Sequence, residues 1–464
     1  MLKINDIYIE NGLITSPGKP DREFLFPGKD ICPGFCDSHT HFIQFTLKKN
    51  RLNLSKIESK KELYERLSEW IRVAEREEVT IAEDWDESNW EDEEFPTKKE
   101  LNKISSKKPI ILRRVCGHIA IANDPGLSRI PPTYTIVNHR TGILKEEVVL
   151  KINEIFPPSK EGMQEVTLLA QSEIIKLGIT SIHDIVIPEH FKLYQALEDK
   201  GKLKLSIYGF ITENYIDKMK NLKSSYRVKL AGIKIFTDGS IGARTAALKD
   251  FHYTQKGNGL LLKNKEELEE LIQFANNKGY QLAIHAIGDL AIQMILDAMD
   301  KNPIDNPGRH RIEHFELATD EQIREAKKKN IILSMQPNFL KWSKPGGLYE
   351  KALGKNYKDN NRICFIMREG GMVTFGSDGM PYGPLFGIKQ VTEAPFTPQR
   401  IEKMDAIRAY TQGGAYASFK EGEVGSIEEG MRADLVIIDK QGIYMTIING
   451  EIEYCREGEN KITS

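Results

Sequence analysis

The chain lacks the features that mark membrane, secreted and nucleic-acid-binding proteins. No run of about 18 consecutive apolar residues occurs, and no basic stretch followed by an apolar one opens the sequence. Neither a membrane span nor a secretory leader is therefore expected. Charge of one sign is not in excess. The 65 Lys and Arg residues and 67 Asp and Glu residues leave a formal net charge of −2, with no general pull toward nucleic acid or a lipid surface. Cysteine is scarce, with five residues at positions 32, 36, 116, 364 and 455. Cys32 and Cys36 have no second pair to complete a zinc knuckle, so reduced thiols in a cytoplasmic protein are expected. Internal repeats and low-complexity linkers are also absent. At 464 residues the chain exceeds one ordinary core, and a barrel with a small companion domain fits its length.

What is present is an alternation. From about residue 178, short apolar strands are predicted at 179–183, 203–211, 232–236, 281–285, 309–314, 331–335 and 372–376. Helix-period segments at 265–278, 290–299 and 320–329 lie between them. With the strand ending at His39 the count is eight, which argues for an α/β fold of the (β/α)8 TIM-barrel type. Two departures define the domains. Residues 46–174 separate strands one and two, and carry their own helices (60–75, 97–104) and strands (80–84, 109–115), so they form an inserted α/β subdomain over the barrel mouth. The ends, 1–30 and 422–464, are β-like and pair into a small sandwich, reached from the barrel by a helix near 403–418. The barrel itself takes 31–45 and 175–421.

The polar residues at strand ends carry the chemistry. His39 and His41 are two apart on a strand, so both imidazoles project to the same side and suit a metal. Strand two ends in His183 and Asp184, strand four carries Lys234, strands five and six end at His285 and His314, and Asp378 follows strand eight. Five of the ten histidines thus finish predicted barrel strands, where such a barrel places its active site. His39, His41, His285, His314 and Asp378 exceed the three ligands of a tetrahedral catalytic zinc. They suit one five-coordinate ion or, better, two ions sharing a bridge, with a metal-bound hydroxide as nucleophile and Asp378 as general base. Zinc is favoured by the imidazoles, with manganese, iron, nickel and cobalt as alternatives. Lys234 is otherwise an expensive residue for a barrel interior.

Several segments together resemble the amidohydrolase superfamily, in its YtcJ-like (amidohydrolase 3) branch. They are PGFCDSHTH (33–41), GIKIFTDGSIGARTAAL (232–248), LAIHAIGD (282–289), RIEHFE (311–316) and FGSD (375–378). The insertion adds Asp84-Trp85-Asp86-Glu87 and residues 113–123, so the resemblance spans nearly the whole chain. It implies a distorted barrel, a β-sandwich made of both termini, and a divalent-metal hydrolase site. His39, His41 and Asp378 would bind the buried metal and His285 and His314 the second. Lys234, carboxylated by carbon dioxide, would bridge the two ions, with Lys229 as the competing lysine.

Other residues are assigned by position. His118, from the insertion, is expected to contact substrate or an oxyanion, and Trp85 and Asp86 to line the same pocket. Arg244, after a glycine-containing loop, either clamps a substrate carboxylate or orders that loop. Glu146 is read as reaching the site or as a solvated helix-start carboxylate. One of His183 and Asp184 is expected to orient a metal-binding imidazole by a hydrogen bond. The expected activity is cleavage of a non-peptide carbon–nitrogen bond (amide, N-acyl or formamide) in a small-molecule substrate. The alternatives are an esterase, lactonase or phosphoesterase on the same site, or a catalytically silent scaffold. Analogy with the branch also suggests a homo-oligomer.

Overall fold

The structure is a computed structural model and describes residues 1–49, 51–73, 78–87, 90, 94–134, 137–303 and 305–456. The chain divides into two compact units, Met1–Phe42 with Gln171–Ser464, and Ile43–Ala170.

Eight parallel strands organise the first unit: β1 (Phe35–Thr40), β2 (Ile179–Val186), β3 (Ser206–Thr212), β4 (Val228–Phe236), β5 (Gln281–Ala286), β6 (Arg311–His314), β7 (Ile332–Met335) and β8 (Met372–Phe375). Each pairs with its neighbours in chain order, giving a nearly closed barrel. Side chains lace β8 to β1. The Asp37 carboxylate accepts from the Ser377 amide (2.8 Å) and hydroxyl (2.5 Å), and the Ser38 and Thr374 hydroxyls meet at 2.5 Å. Most of the strands are buried on both faces, and their apolar residues do not follow a strict period of two.

Local chemistry explains the helices. Lys265–Lys278 begins at Asn264, whose side chain accepts from Glu267 N while Glu267 returns the bond, and ends at Gly279 with φ 69°. Leu268, Ile272 and Ala275 form its buried stripe. Two segments depart from ideal alternation. Between β3 and β4 stands a 3-10 segment, Glu213–Asn221. The helix expected at 403–418 is two helices, Lys403–Tyr410 and Gln412–Ala417, broken at Thr411 (φ −120°, ψ −81°). The break lets Gly414 approach β1, where an added Cβ would stand 2.4 Å from Cys36 Cβ.

Both termini build four-stranded sheets. One holds Leu2–Ile4, Ile7–Glu10, Leu13–Thr15 and Arg22–Phe24, and the other Asp30–Pro33, Leu435–Asp439, Gly442–Ile448 and Glu451–Cys455. They share a core that includes Ile4, Ile9, Phe24, Leu435, Ile437 and Met445. Residues 457–464 of the expected sandwich lie outside the described residues.

The second unit is a six-stranded mixed sheet with helices. Its helix Lys60–Val73 buries Leu63 and Leu67, with Trp70 and Ile71 partly buried beside them. The expected helix end at 74–75 lies outside the described residues.

Candidate metal centre

His39 is the next-to-last residue of β1 and His41 follows its end, so the extended backbone sends both rings to one side. Asp378 comes three residues after β8. Its amide donates to the His39 carbonyl (2.8 Å), which brings the carboxylate back over β1. Asp378 Oδ1 lies 3.1 Å from His41 Nε2 and 3.6 Å from His39 Nε2. The three groups offer ligand atoms within 4.8 Å of one another. Gly376 permits this approach, since a Cβ there would stand 2.3 Å from His39 N. Asp378 and His314 both adopt left-handed backbone, at φ 54° and 74°, a strained state for non-glycine residues that commonly marks functional sites.

Behind His39 lies a buried charge pair. His39 Nδ1 is hydrogen-bonded to Glu313 Oε2, which leaves Nε2 as the ligating nitrogen. Arg311 donates to Glu313 Oε1 (2.5 Å), to the Ser38 carbonyl (2.6 Å) and to His183 Nδ1 (2.6 Å). Burial alone would raise the Glu313 carboxyl, but the Arg311 and Lys234 charges hold it below its usual range.

His285 and His314 complete the cluster. Ring centroids are 4.9 Å apart for His39 and His314, and 4.5 Å for His285 and His314. His314 lies parallel to Phe339 at 5.9 Å, and its Nδ1 is buried with no hydrogen-bond partner among the described residues. His285 Nε2 donates to the Gly239 carbonyl (2.9 Å), leaving Nδ1 available. Burial, assisted by the Lys234 charge, lowers His285 to about 4 and holds His39 well below its ordinary value. Burial, with the neighbouring rings, does the same to His314. All three imidazoles are thus neutral, the form that binds metal.

Lys234 is fully buried on β4, with no hydrogen-bond partner for Nζ among the described residues, and sits 4.9 Å from the Phe236 ring centroid. Burial lowers its ammonium to about 8, against the pull of Glu313 and Asp378. Imidazoles, one carboxylate and an orphaned buried amine make a donor set that fits a borderline divalent cation.

Arg244 (φ 57°) donates from Nη1 to Gln255 (2.8 Å) and has a buried Nε without a partner among the described residues. Asp184 accepts from Phe42 N (2.7 Å) and from the Tyr194 hydroxyl (2.6 Å), tying β2 to the turn after β1. Glu313 makes a hydrogen bond that orients the His39 imidazole, and His183 is joined to that pair through Arg311. Trp85, Asp86, His118 and Glu146 belong to the second unit. Trp85 is a core residue there, packed on Trp90 and edge-on to Phe95. Asp86 faces Arg114 (3.4 Å), and His118 Nδ1 meets Glu146 Oε2 at 3.1 Å, both side chains exposed.

Sequence reasoning missed Glu313, Arg311 and Asp238. The signal for the first two is charge at alternate positions of one buried strand, which places both on one face. Asp238 accepts from the amides of Ala247 (3.0 Å), Ile287 (3.1 Å) and Gly288 (2.8 Å), which folds the 239–247 loop against the end of β5.

Barrel, terminal sheets and histidine-rich strand ends together define a hydrolase architecture. Residues 28–448 match the model of the amidohydrolase family, and the chain belongs to that family. It is 29% identical to the putative amidohydrolase YtcJ of Bacillus subtilis, over 97% of this chain and 95% of that protein. It is 22% identical to the N-substituted formamide deformylase of Arthrobacter pascens, covering 96% and 92%. Among solved structures, an uncharacterized metal-dependent hydrolase from Pyrococcus furiosus superposes with a TM-score of 0.82 at 26% identity, covering 94% of each chain.

Proposed function

We propose that this protein is a divalent-metal-dependent hydrolase of a non-peptide carbon–nitrogen bond in an amide, N-acyl or formamide substrate. The observation that carries this reading is the convergence of His39, His41 and Asp378 beside His285, His314 and the orphaned Lys234 amine. His39, His41 and Asp378 would hold one ion and His285 and His314 a second, with carboxylated Lys234 between them. Carboxylation would remove the uncompensated positive charge and turn Nζ into part of an anionic oxygen ligand. When bound, the metal, most favourably zinc, supplies Lewis acidity that acidifies water and polarises a carbonyl.

The chain's own groups do the rest. Asp378 is held below its ordinary pKa despite its burial, chiefly by the His41 hydrogen bond and with help from the Lys234 ammonium, so it is ionised at neutral pH. It can take the proton of the attacking water and return it to the departing nitrogen. Glu313 fixes the His39 ring, and Phe339 fixes that of His314. Arg244, with its unpartnered Nε, is the proposed contact for a substrate carboxylate. The relative that deformylates N-substituted formamides supports formamides as the first substrates to try.

Metal content of protein purified without chelator, paired with matched amide and ester panels, tests the proposal. Metal bound per chain together with turnover of formamides or N-acyl amines is the expected result. Metal with turnover of esters or lactones alone would overturn the bond assignment. Absence of metal after reconstitution would overturn the hydrolase reading altogether.

A further inference from the structure

The end of the barrel opposite the candidate centre holds a cavity of about 680 Å³ that the proposed chemistry does not use. It opens where one strand overhangs its neighbour. β4 begins at Val228, yet its pairing to β5 starts only at Gly232 with Gln281. The stretch 228–231 therefore has a strand partner on the β3 side alone, where Tyr208 pairs with Lys229 and Gly209 with Leu230. On the open side Tyr280, Pro303 and Pro307 stand back and leave space.

Lys229 lines this space. It precedes Lys234 by five residues on the same strand, which separates the two by about 16 Å at ~3.3 Å per residue. No carboxylate lines the cavity, and Lys229 has no ion-pair partner among the described residues. The other lining lysine, Lys420, is already engaged with Glu423 at 2.5 Å.

A second, independent feature stands at the rim. Phe419 follows the helix Gln412–Ala417 at φ 59°, where a helix end ordinarily takes glycine or asparagine. A bulky side chain in left-handed backbone is strained, and this one is also 48% exposed. The Arg309 guanidinium, 4.3 Å from the ring centroid, holds it in place. Folding alone favours glycine here, so the aromatic face at the cavity mouth calls for another reason.

We propose that this basal cavity binds a small amphipathic anion, an apolar or aromatic body bearing one carboxylate or phosphate, with Lys229 facing the charge and Phe419, Tyr208 and Leu230 against the body. A single unpaired ammonium and no competing carboxylate select one anionic group. A nucleoside polyphosphate would need more cations than the cavity offers.

Calorimetric titration of the full chain with phenylacetate and with phenyl phosphate tests this, using 2-phenylethanol as the uncharged counterpart. We expect saturable binding of at least one anion, weakened roughly tenfold or more in Lys229→Met and for the alcohol. Phe419→Gly should lose the same binding while keeping or raising Tm, because glycine accepts φ 59° without strain. Which anion binds distinguishes a carboxylate ligand from a phosphate one. Binding that survives Lys229→Met lies elsewhere, for example at the candidate metal centre, and overturns the proposal. Equal binding of the alcohol, or no saturable binding of either anion, overturns it as well.

Discussion

Asp378 sits between two imidazoles on a strained backbone, and each part of that arrangement can be tested by one substitution. Asp378→Asn keeps the size of the side chain and the backbone N–H hydrogen bond to the His39 carbonyl but removes the proton acceptor. Turnover should fall by about 10²–10⁴ with little change in KM, provided that metal content, measured alongside, is retained. Glu313 differs in kind, because it is fully buried and shares its charge with Arg311 and its acceptor oxygen with His39. Glu313→Gln strands the Arg311 guanidinium without a counter-charge and should cost ~3–5 kcal/mol in denaturant unfolding. The double variant Arg311→Met/Glu313→Gln should recover much of that loss. A single variant as stable as the parent would mean that Glu313 does not supply the counter-charge of Arg311 in the folded protein.

The seam between β8 and β1 depends on the same economy of space. Gly376 lies so close to β1 that Gly376→Ala must push the strands apart or tilt His39. Overpacking of this kind costs ~1–3 kcal/mol, and metal affinity should fall with it because His39 and Asp378 separate. Equilibrium unfolding and metal titration of the variant check both effects. How well an element could be read depended on where its determinants lie. Helix 265–278 was readable to the residue because a capping box, an apolar stripe and a terminal glycine are all local. The helix expected at 403–418 broke at Thr411 because Gly413 and Gly414 must pack against β8 and β1. That requirement comes from partners outside the helix, Val373 on β8 and Cys36 on β1, and helical periodicity carries no trace of it.

The first unit buries many titratable groups, and their protonation couples stability to pH. His310 illustrates this away from the candidate ligands. Its Nδ1 accepts from Leu282 N (3.1 Å), Nε2 meets Asn276 (3.1 Å), and burial lowers the ring from 6.5 to about 4. Between those values the unfolded chain binds a proton that the folded chain refuses, so this residue's contribution falls as pH drops through that window. His310→Asn retains an acceptor for Leu282 N and does not titrate there. The stability advantage of the parent over the variant, full above pH 6.5, should narrow by up to roughly 3 kcal/mol toward pH 4. Parallel stability profiles for the two proteins would contradict it. Among the described residues no helix is long and apolar enough to cross a membrane. The eight-strand order, the terminal sheets and the identity of the strand-end histidines could all be inferred from the chain alone, because alternation, capping and short motifs act over a few residues. Closure of the barrel decided the rest. It put Glu313 against His39 across 274 positions and left Lys234 without a hydrogen-bond partner among the described residues, while packing within the second unit turned Trp85 into core. Strand direction separated Lys229 from Lys234, sending one to each end of β4. Charges and rings that meet only after folding are set by geometry in three dimensions, and spacing along the chain does not encode which of them will touch.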